Sequence, residues 1–259
     1  LKPAKSLIVK EPFGIALIIV PFNYPLQLAL TPLVGAIAAG NCAVIRTSHK
    51  TPEISKVLNQ IISETFTSDY IKMFLPEEIS SKDIMQGDFD YIFFTGSTQA
   101  GRQIAKTAGE RLIPYTLELG GKSPVIIDDT ADLKVSARRI VKGKFMNAGQ
   151  TCIAPDYLFA HASIREKLIL EMINAIQEFY GTYTPESTDY GRIIDIEAFN
   201  RLSKLIKSSK DKIIYGGHSD ECTLYIEPTL IVEDSVNSDI MQEEIFGPLL
   251  PVLEWTDIN

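Results

Sequence analysis

A chain of 259 residues can bury a substantial core, enough for one large domain or two smaller ones, and its 45% apolar and 22% charged residues are ordinary for a water-soluble protein. Asp and Glu outnumber Lys and Arg by 33 to 25, and the resulting net charge of −8 repels phosphate backbones, which argues against a nucleic-acid partner. Three scattered cysteines, Cys42, Cys152 and Cys222, form neither a disulfide framework nor a Cys-x-x-Cys pair, so a reducing compartment, the cytoplasm, is expected.

The chain opens on Leu1 without a signal-peptide pattern. From Ile15 to about Gly120, short β-rich runs alternate with helical stretches, the pattern of a parallel sheet covered by helices. Strands are predicted over Ile15 to Val20, Cys42 to Arg46, Ile71 to Leu75 and Tyr91 to Phe94. Helices are predicted over Leu26 to Ala39, from Thr51-Pro52-Glu53, after Pro76-Glu77-Glu78 and from Ser97. The most apolar runs, Ile15 to Val20 and Leu26 to Ala39, are split by Pro-Phe-Asn-Tyr-Pro, and neither is long and pure enough to span a membrane.

Beyond Gly120 the alternation widens. A strand over Pro124 to Ile127, a helix over Leu133 to Phe145, a strand over Tyr157 to Ala160 and a long helix from Ile164 to Tyr180 are predicted. After Gly181 the pattern is more broken, with strands expected at Leu224 to Ile226, Thr229 to Val232 and Leu249 to Glu254 and a loop around Phe246-Gly247-Pro248. Adjacent Gly120 and Gly121 make a natural hinge, dividing the chain into 1–119 and 120–259. Thr256 to Asn259 reads as the start of a helix rather than a tail, so a piece of a longer protein is expected.

Several runs carry candidate chemistry. Thr95-Gly96-Ser97-Thr98-Gln99-Ala100-Gly101 follows an aromatic strand and opens a helix; its free amides suit a phosphate, or Ser97 is an ordinary N-cap, and spacing alone leaves both open. Asn23 sits between two prolines at a strand's carboxyl end, where it could donate to developing negative charge, although a helix-capping turn is the default reading. Glu118, set among Leu117, Leu119 and two glycines, is expected to be partly buried, which would raise its pKa toward that of a useful base; satisfaction by backbone amides or Lys122 is the alternative. Cys152 ends Asn147-Ala148-Gly149-Gln150-Thr151-Cys152, 34 residues after Glu118. Buried cysteines are commonly inert, but these flanks are loop-like and favour a reactive thiol that could carry an acyl group. Glu244 and Phe246 could meet ribose hydroxyls and a flat ring, or simply follow a helix end. His49, His161 and His218 lie near no other ligand-type cluster, so a metal site is not supported.

In order along the chain, Pro21-Phe22-Asn23-Tyr24-Pro25, Phe94-Thr95-Gly96-Ser97, Leu117-Glu118-Leu119-Gly120-Gly121-Lys122-Ser123, Gly149-Gln150-Thr151-Cys152 and Glu243-Glu244-Ile245-Phe246-Gly247-Pro248 resemble the aldehyde dehydrogenase superfamily. Lys144-Phe145-Met146-Asn147 and Cys152 to Tyr157 look like its class-three branch, which handles fatty and aromatic aldehydes. The resemblance covers essentially the whole chain. It implies a Rossmann-like parallel-sheet cofactor domain over 1–119, its first few residues part of an oligomerisation strand, and an α/β catalytic domain over 120–259. It also implies an N-terminal helical segment ahead of Leu1, a further C-terminal portion that completes the catalytic domain, and a homodimer in the full-length form. Without those portions, part of the substrate-pocket wall and much of the dimer interface would be lacking, and apolar surface would be exposed.

The mechanism implied is oxidation of an aldehyde to a carboxylic acid with NAD or NADP. Cys152 attacks the aldehyde carbon, Asn23 and the Cys152 N–H hold the oxyanion, and Glu118 activates the water that releases the acid. Relatives that pass the acyl group to coenzyme A generally lack this glutamate, so hydrolysis is expected. Gly96, Ser97, Gly101 and Leu119 would border the cofactor, Glu244 would hold its nicotinamide ribose and Phe246 would line that region. Where the family usually has Lys-Pro-Ser-Glu, this chain has Arg46-Thr47-Ser48-His49. His49 removes a glutamate that repels a 2′-phosphate and Arg46 could attract one, so NADP is expected to be accepted at least as well as NAD. A catalytically silent fragment that at most binds nucleotide is the rival reading.

Overall fold

The computed structural model describes residues 4–257, which fall into two compact units that divide after Leu119. In the first unit, β1 (Ile15–Ile19), β2 (Cys42–Arg46), β3 (Ile71–Phe74), β4 (Tyr91–Gly96) and β5 (Tyr115–Leu119) form one sheet in the order β3-β2-β1-β4-β5. All four pairings are parallel. The crossovers are α1 (Pro25–Ala38), α2 (Pro52–Thr65), the short α3 (Ser81–Ile84) and α4 (Thr98–Glu110).

Both faces of this sheet are covered, so its central strand is apolar throughout. Alternate side chains of β1 enter different cores: Ile18 packs with Leu33, Leu58 and Ile62 of α1 and α2, while Leu17 and Ile19 pack with Ile84, Ile104 and Ala108 of α3 and α4. The α4 residues Gly101, Ile104 and Ala108 lie on one face at helical spacing, and Ser97 caps the helix by accepting the Ala100 N–H at 3.2 Å. Strand order reverses between β1 and β4, which puts the topological switch point at their carboxyl ends, the usual location of ligands in open α/β sheets.

The second unit has its own sheet, β6 (Pro124–Ile127), β7 (Tyr157–His161), β8 (Ile213–Tyr215), β11 (Thr229–Val232) and β12 (Leu249–Trp255), in the order β6-β7-β12-β11-β8. Only β8 is antiparallel to its neighbour. β9 (Ser219–Asp220) and β10 (Tyr225–Ile226) make a small hairpin. Helices α5 (Leu133–Phe145), α6 (Arg165–Tyr180), α7 (Ile196–Ser208) and α8 (Asp239–Gln242) complete the unit, around a core that includes Phe145, Leu158, Leu168, Met172, Leu202, Leu230 and Leu250.

The expected mixed α/β class, with parallel strands, is what the chain forms. Individual elements correct the sequence reading. The shorter helix expected after Pro76-Glu77-Glu78 is the four-residue α3, entered through a turn. β5 and α7 were not anticipated. Asp195 caps α7 by accepting the Ala198 N–H at 2.9 Å, and Phe199, Leu202 and Ile206 bury one stripe of it. The expected initial oligomerisation strand falls partly on residues 1–3, outside the described residues, and residues 4–14 carry neither helix nor strand. Of the expected final helix start, Ile258 and Asn259 also lie outside the described residues, while Thr256 and Asp257 are not helical. Apolar surface is exposed, including an α2 stripe of Ile54, Val57 and Ile61. Among the described residues, no helix is long and apolar enough to cross a membrane.

Candidate active site

In the first unit, the carboxyl edge of the sheet collects the candidate residues strand by strand. β1 runs out into Pro21-Phe22-Asn23, and Asn23 is buried at 6% exposure. The residue at the N-cap of α1 is Tyr24, in the left-handed region at φ 46°, and its own side chain makes no capping bond. β2 leads into Arg46-Thr47-Ser48-His49. The Arg46 side chain is buried beneath its own loop, where Nε donates to the Ile79 carbonyl at 3.4 Å and Nη1 to the Thr47 carbonyl at 3.2 Å. Two of the Arg46 donors are thus taken by carbonyls, so the expected attraction of a phosphate would have to come from the remaining Nη2 and the charge. Ser48 Oγ accepts the Lys50 N–H at 3.2 Å in a local turn, and His49 is exposed.

β4 delivers Gly96 and Ser97. A Cβ on Gly96 would lie 2.6 Å from the Phe94 ring, so only glycine lets the strand pass that ring into the α4 N-terminus. No acidic side chain occupies the first turn of α4, leaving its positive end uncompensated. Gly101 is buried one turn further on, and a Cβ there would come within 2.6 Å of Leu119 Cδ2; this pair seats α4 against β5. Across the β4/β5 ladder Glu118 is opposite Thr95 and Leu119 opposite Gly96. Glu118 lies on the edge strand and is exposed, so the expected partial burial is not found. These residues fit a dinucleotide. A helix N-terminus free of acid, a glycine at the strand end and the switch point are the parts a pyrophosphate requires.

In the second unit, α5 breaks into an irregular turn at Met146–Gly149 in which Asn147 and Ala148 take φ 54° and 51°. Gln150 holds this turn from inside: its Nε2 donates to the carbonyls of Asn147 at 3.0 Å and Arg192 at 2.9 Å, and its Oε1 accepts the Ile194 N–H at 2.9 Å. Cys152 follows in a tight turn closed by the Ala154 N–H to the Thr151 carbonyl at 3.1 Å; the cysteine is half-buried while neighbouring Ile153 is 81% exposed. The expected loop setting for the thiol is present.

Glu244 and Phe246 lie in the loop between α8 and β12. This loop packs on the Cys152 turn through two glycines: a Cβ on Gly149 would collide with the Gly247 carbonyl. Glu244 is half-buried with its carboxylate over Gly120, where a Cβ would collide with it, and it accepts the Gly121 N–H. Burial pushes its pKa up. Of the six non-glycine residues with positive φ among the described residues, Tyr24, Asn147, Ala148 and Phe246 are candidate residues or belong to candidate loops. Such strain concentrates at functional sites because packing must hold it there.

A buried polar network supports the Glu244 loop, and the motif reading did not anticipate it. Asp156, 3% exposed, accepts the Ile245 N–H through Oδ1 at 2.9 Å and pairs through Oδ2 with Lys122. Lys122 Nζ also donates to the Glu243 carbonyl at 2.9 Å and the Ile240 carbonyl at 3.4 Å. Arg201 of α7 donates to the Ile245 carbonyl at 2.5 Å and the Glu244 carbonyl at 3.5 Å. Lys144, on the inner face of α5, is wholly buried facing Asp156, Lys122 and Glu244, and burial pushes its pKa down to about 8. A carboxylate opening an apolar strand at Asp156-Tyr157 and a lysine at an inward helix position were the available signals. The cofactor-edge residues belong to the first unit, with Asn23 and Glu118; Cys152, Glu244 and Phe246 belong to the second. Among the described residues no cluster of His, Cys, Asp and Glu could hold a metal.

Residues 2–259 match the model of the aldehyde dehydrogenase family. A 4,4'-diaponeurosporen-aldehyde dehydrogenase of Staphylococcus aureus is 49% identical over 257 residues, covering 99% of this chain and 56% of that protein. Aldehyde dehydrogenase family 3 member A2 of Rattus norvegicus is 41% identical over 255 residues, covering 98% and 52%. Among solved structures, substrate-bound Staphylococcus aureus AldH superposes with a TM-score of 0.91 at 49% identity, over 96% of this chain and 54% of that one. A Mycobacterium tuberculosis aldehyde dehydrogenase complexed with NAD+ gives a TM-score of 0.87 at 28% identity, over 96% and 53%. The chain thus spans about half the length of the curated relatives it matches.

Proposed function

The chain belongs to the aldehyde dehydrogenase family, and on that premise we propose that it oxidises an aldehyde to a carboxylic acid through a thioester on Cys152. The observation that carries this reading is the intact trio of Cys152, Glu118 and Asn23, each on an irregular segment or strand end. The Cys152 thiolate adds to the aldehyde carbon, and the Asn23 amide with the Cys152 N–H stabilises the oxygen that becomes negative. NAD or NADP, when bound, supplies the hydride acceptor. Glu118, exposed to water, takes a proton from the water that attacks the thioester; the acid leaves and the thiol is restored.

The nicotinamide cofactor is supported by the switch-point geometry and by the NAD+-bound relative. Gly96 and Ser97 face its pyrophosphate in this reading, Gly101 and Leu119 shape the turn beneath it, and Glu244 and Phe246 hold the nicotinamide end. Acceptance of NADP rests chiefly on His49, since Nε and Nη1 of Arg46 donate to backbone carbonyls. Fatty or aromatic aldehydes are the substrate class, from the class-three motifs. A homodimeric full-length form follows from the same resemblance, and three free cysteines support a cytoplasmic setting.

Mixing the chain with a long-chain or aromatic aldehyde and NAD or NADP should release reduced nicotinamide, and Cys152→Ala should abolish it. Folded protein that binds cofactor yet yields neither burst nor turnover would favour the rival, a silent nucleotide-binding fragment.

A further inference from the structure

Four residues beyond Cys152, Asp156 touches two separate stretches of the second unit, Lys122-Ser123 and the loop at Ile245. Its backbone N–H donates to the Ser123 carbonyl at 2.9 Å, its Oδ1 accepts the Ile245 N–H at 2.9 Å, and its Oδ2 pairs with Lys122, which in turn holds the Glu243 carbonyl at 2.9 Å. Two donors of different kinds, an ammonium and an amide, converge on one carboxylate that is 3% exposed. An apolar side chain of similar shape would leave the Ile245 N–H unmet and the Lys122 ammonium with carbonyl acceptors but no counter-charge, and burying a charge pair commonly costs stability compared with apolar packing. Such a pair repays its cost by fixing register, and the register here is that of the loop carrying Glu244 and Phe246 against the turn carrying Cys152. Lys144, Lys122, Arg201 and Glu244 are the other charged groups around the carboxylate. Gln150 secures the Cys152 turn by separate bonds, so the Asp156 bridge bears chiefly on the Glu244 side.

We propose that Asp156, through Lys122 and the Ile245 N–H, is a positioning residue that couples the Cys152 turn to the Glu244–Phe246 loop and so holds the nicotinamide end of the cofactor in register with the nucleophile. The cofactor part rests on the dehydrogenase reading above; the coupling of the two loops does not.

The test compares Asp156→Ala, Asp156→Asn and Lys122→Met with the unaltered chain by amide hydrogen exchange over residues 240–248, by titration of reduced nicotinamide dinucleotide fluorescence, and by the rate of Cys152 alkylation. In Asp156→Ala, exchange at Ile245 should quicken and the cofactor dissociation constant should rise, each by about tenfold or more, the scale of one lost buried hydrogen bond to a charged group. Cys152 alkylation should stay within about twofold, because Gln150 is untouched. Asp156→Asn, which keeps an acceptor for the Ile245 N–H, should restore most of the protection. A folded Asp156→Ala with unchanged exchange and cofactor affinity would overturn the proposal. If that variant does not fold, wild-type values in both Asp156→Asn and Lys122→Met would overturn it equally. An unaltered chain that binds no reduced nicotinamide, while Asp156→Ala still loosens Ile245, would refute the dehydrogenase reading and support the coupling.

Discussion

The two units present their candidate residues by different physical means. In the first, Asn23, Ser48, His49, Gly96, Ser97 and Glu118 sit where parallel strands end, and the regular sheet alone sets their spacing. In the second, Cys152 and Glu244 sit on irregular loops with left-handed residues at Asn147, Ala148 and Phe246, held by Gln150, Asp156, Lys122 and Arg201. A surface that cradles a long ligand needs only well-spaced strand ends. The Cys152 turn and the loop beside it need individual side-chain ties, because no ladder of backbone bonds specifies their conformation.

That contrast makes the first unit's edge tolerant of substitution in the fold but not in the chemistry, and the second unit's loops tolerant in neither. The largest expected effect is chemical: Glu118→Gln should leave stability unchanged yet slow steady turnover by about 10²–10⁴-fold, with a burst of reduced nicotinamide persisting, the signature of a stalled thioester. Stopped-flow absorbance separates the two phases; equal loss of burst and steady rate would show that Glu118 does not act on the thioester.

Next in size is Gly149→Ala. Its φ of +75° strains an L residue and the new Cβ would meet the Gly247 carbonyl, so denaturant unfolding should show a loss of more than about 2 kcal/mol. A neutral result would mean that the Cys152 and Glu244 loops are not closely keyed.

Lys144 makes a prediction with a sign. Its folded pKa is lowered to about 8 from 10.5, so between those pH values the unfolded chain holds a proton that the folded one has released. Stability therefore rises with pH through that window, while below pH 8 the full cost of burying the ammonium, about 3 kcal/mol, is present. Lys144→Met should remove the rise and stabilise the protein near neutrality, as measured by denaturant midpoints across pH. A wild-type chain showing no rise would mean that partners in the cluster fully compensate the charge.

The smallest effect belongs to the regular unit. Gly109 lies inside α4 with nothing within 4 Å of a built Cβ, so Gly109→Ala should stabilise by about 0.5–1 kcal/mol in a thermal melt, without altering cofactor binding.

How much could be read beforehand follows the same division. Periodicity and caps marked β1, β2, α2, α4 and α5, because an apolar strand between covering helices and a Pro or Ser at a helix start are local signals. β5 was hidden because Leu117-Glu118-Leu119 before two glycines looks like a turn, and only pairing with β4 makes it a strand. α7 was hidden in a polar stretch whose apolar stripe of Phe199, Leu202 and Ile206 is sparse by eye. Glu118 was expected to be partly buried from its apolar neighbours, yet strand alternation on an edge turns it outward. Arg46 looked available, but burial beneath its loop gives its Nε and Nη1 to carbonyls.

The linear order of residues was sufficient to identify the α/β class, the hydrophobic faces and the segments bearing Asn23, Glu118, Cys152 and Glu244, since those depend on local periodicity and on short runs of neighbours. Which side chains hold those segments was decided only in three dimensions. Asp156 meets Ile245 across 89 positions and Lys122 meets Glu243 across 121, separations over which no local pattern carries information and only the packed chain brings donor to acceptor.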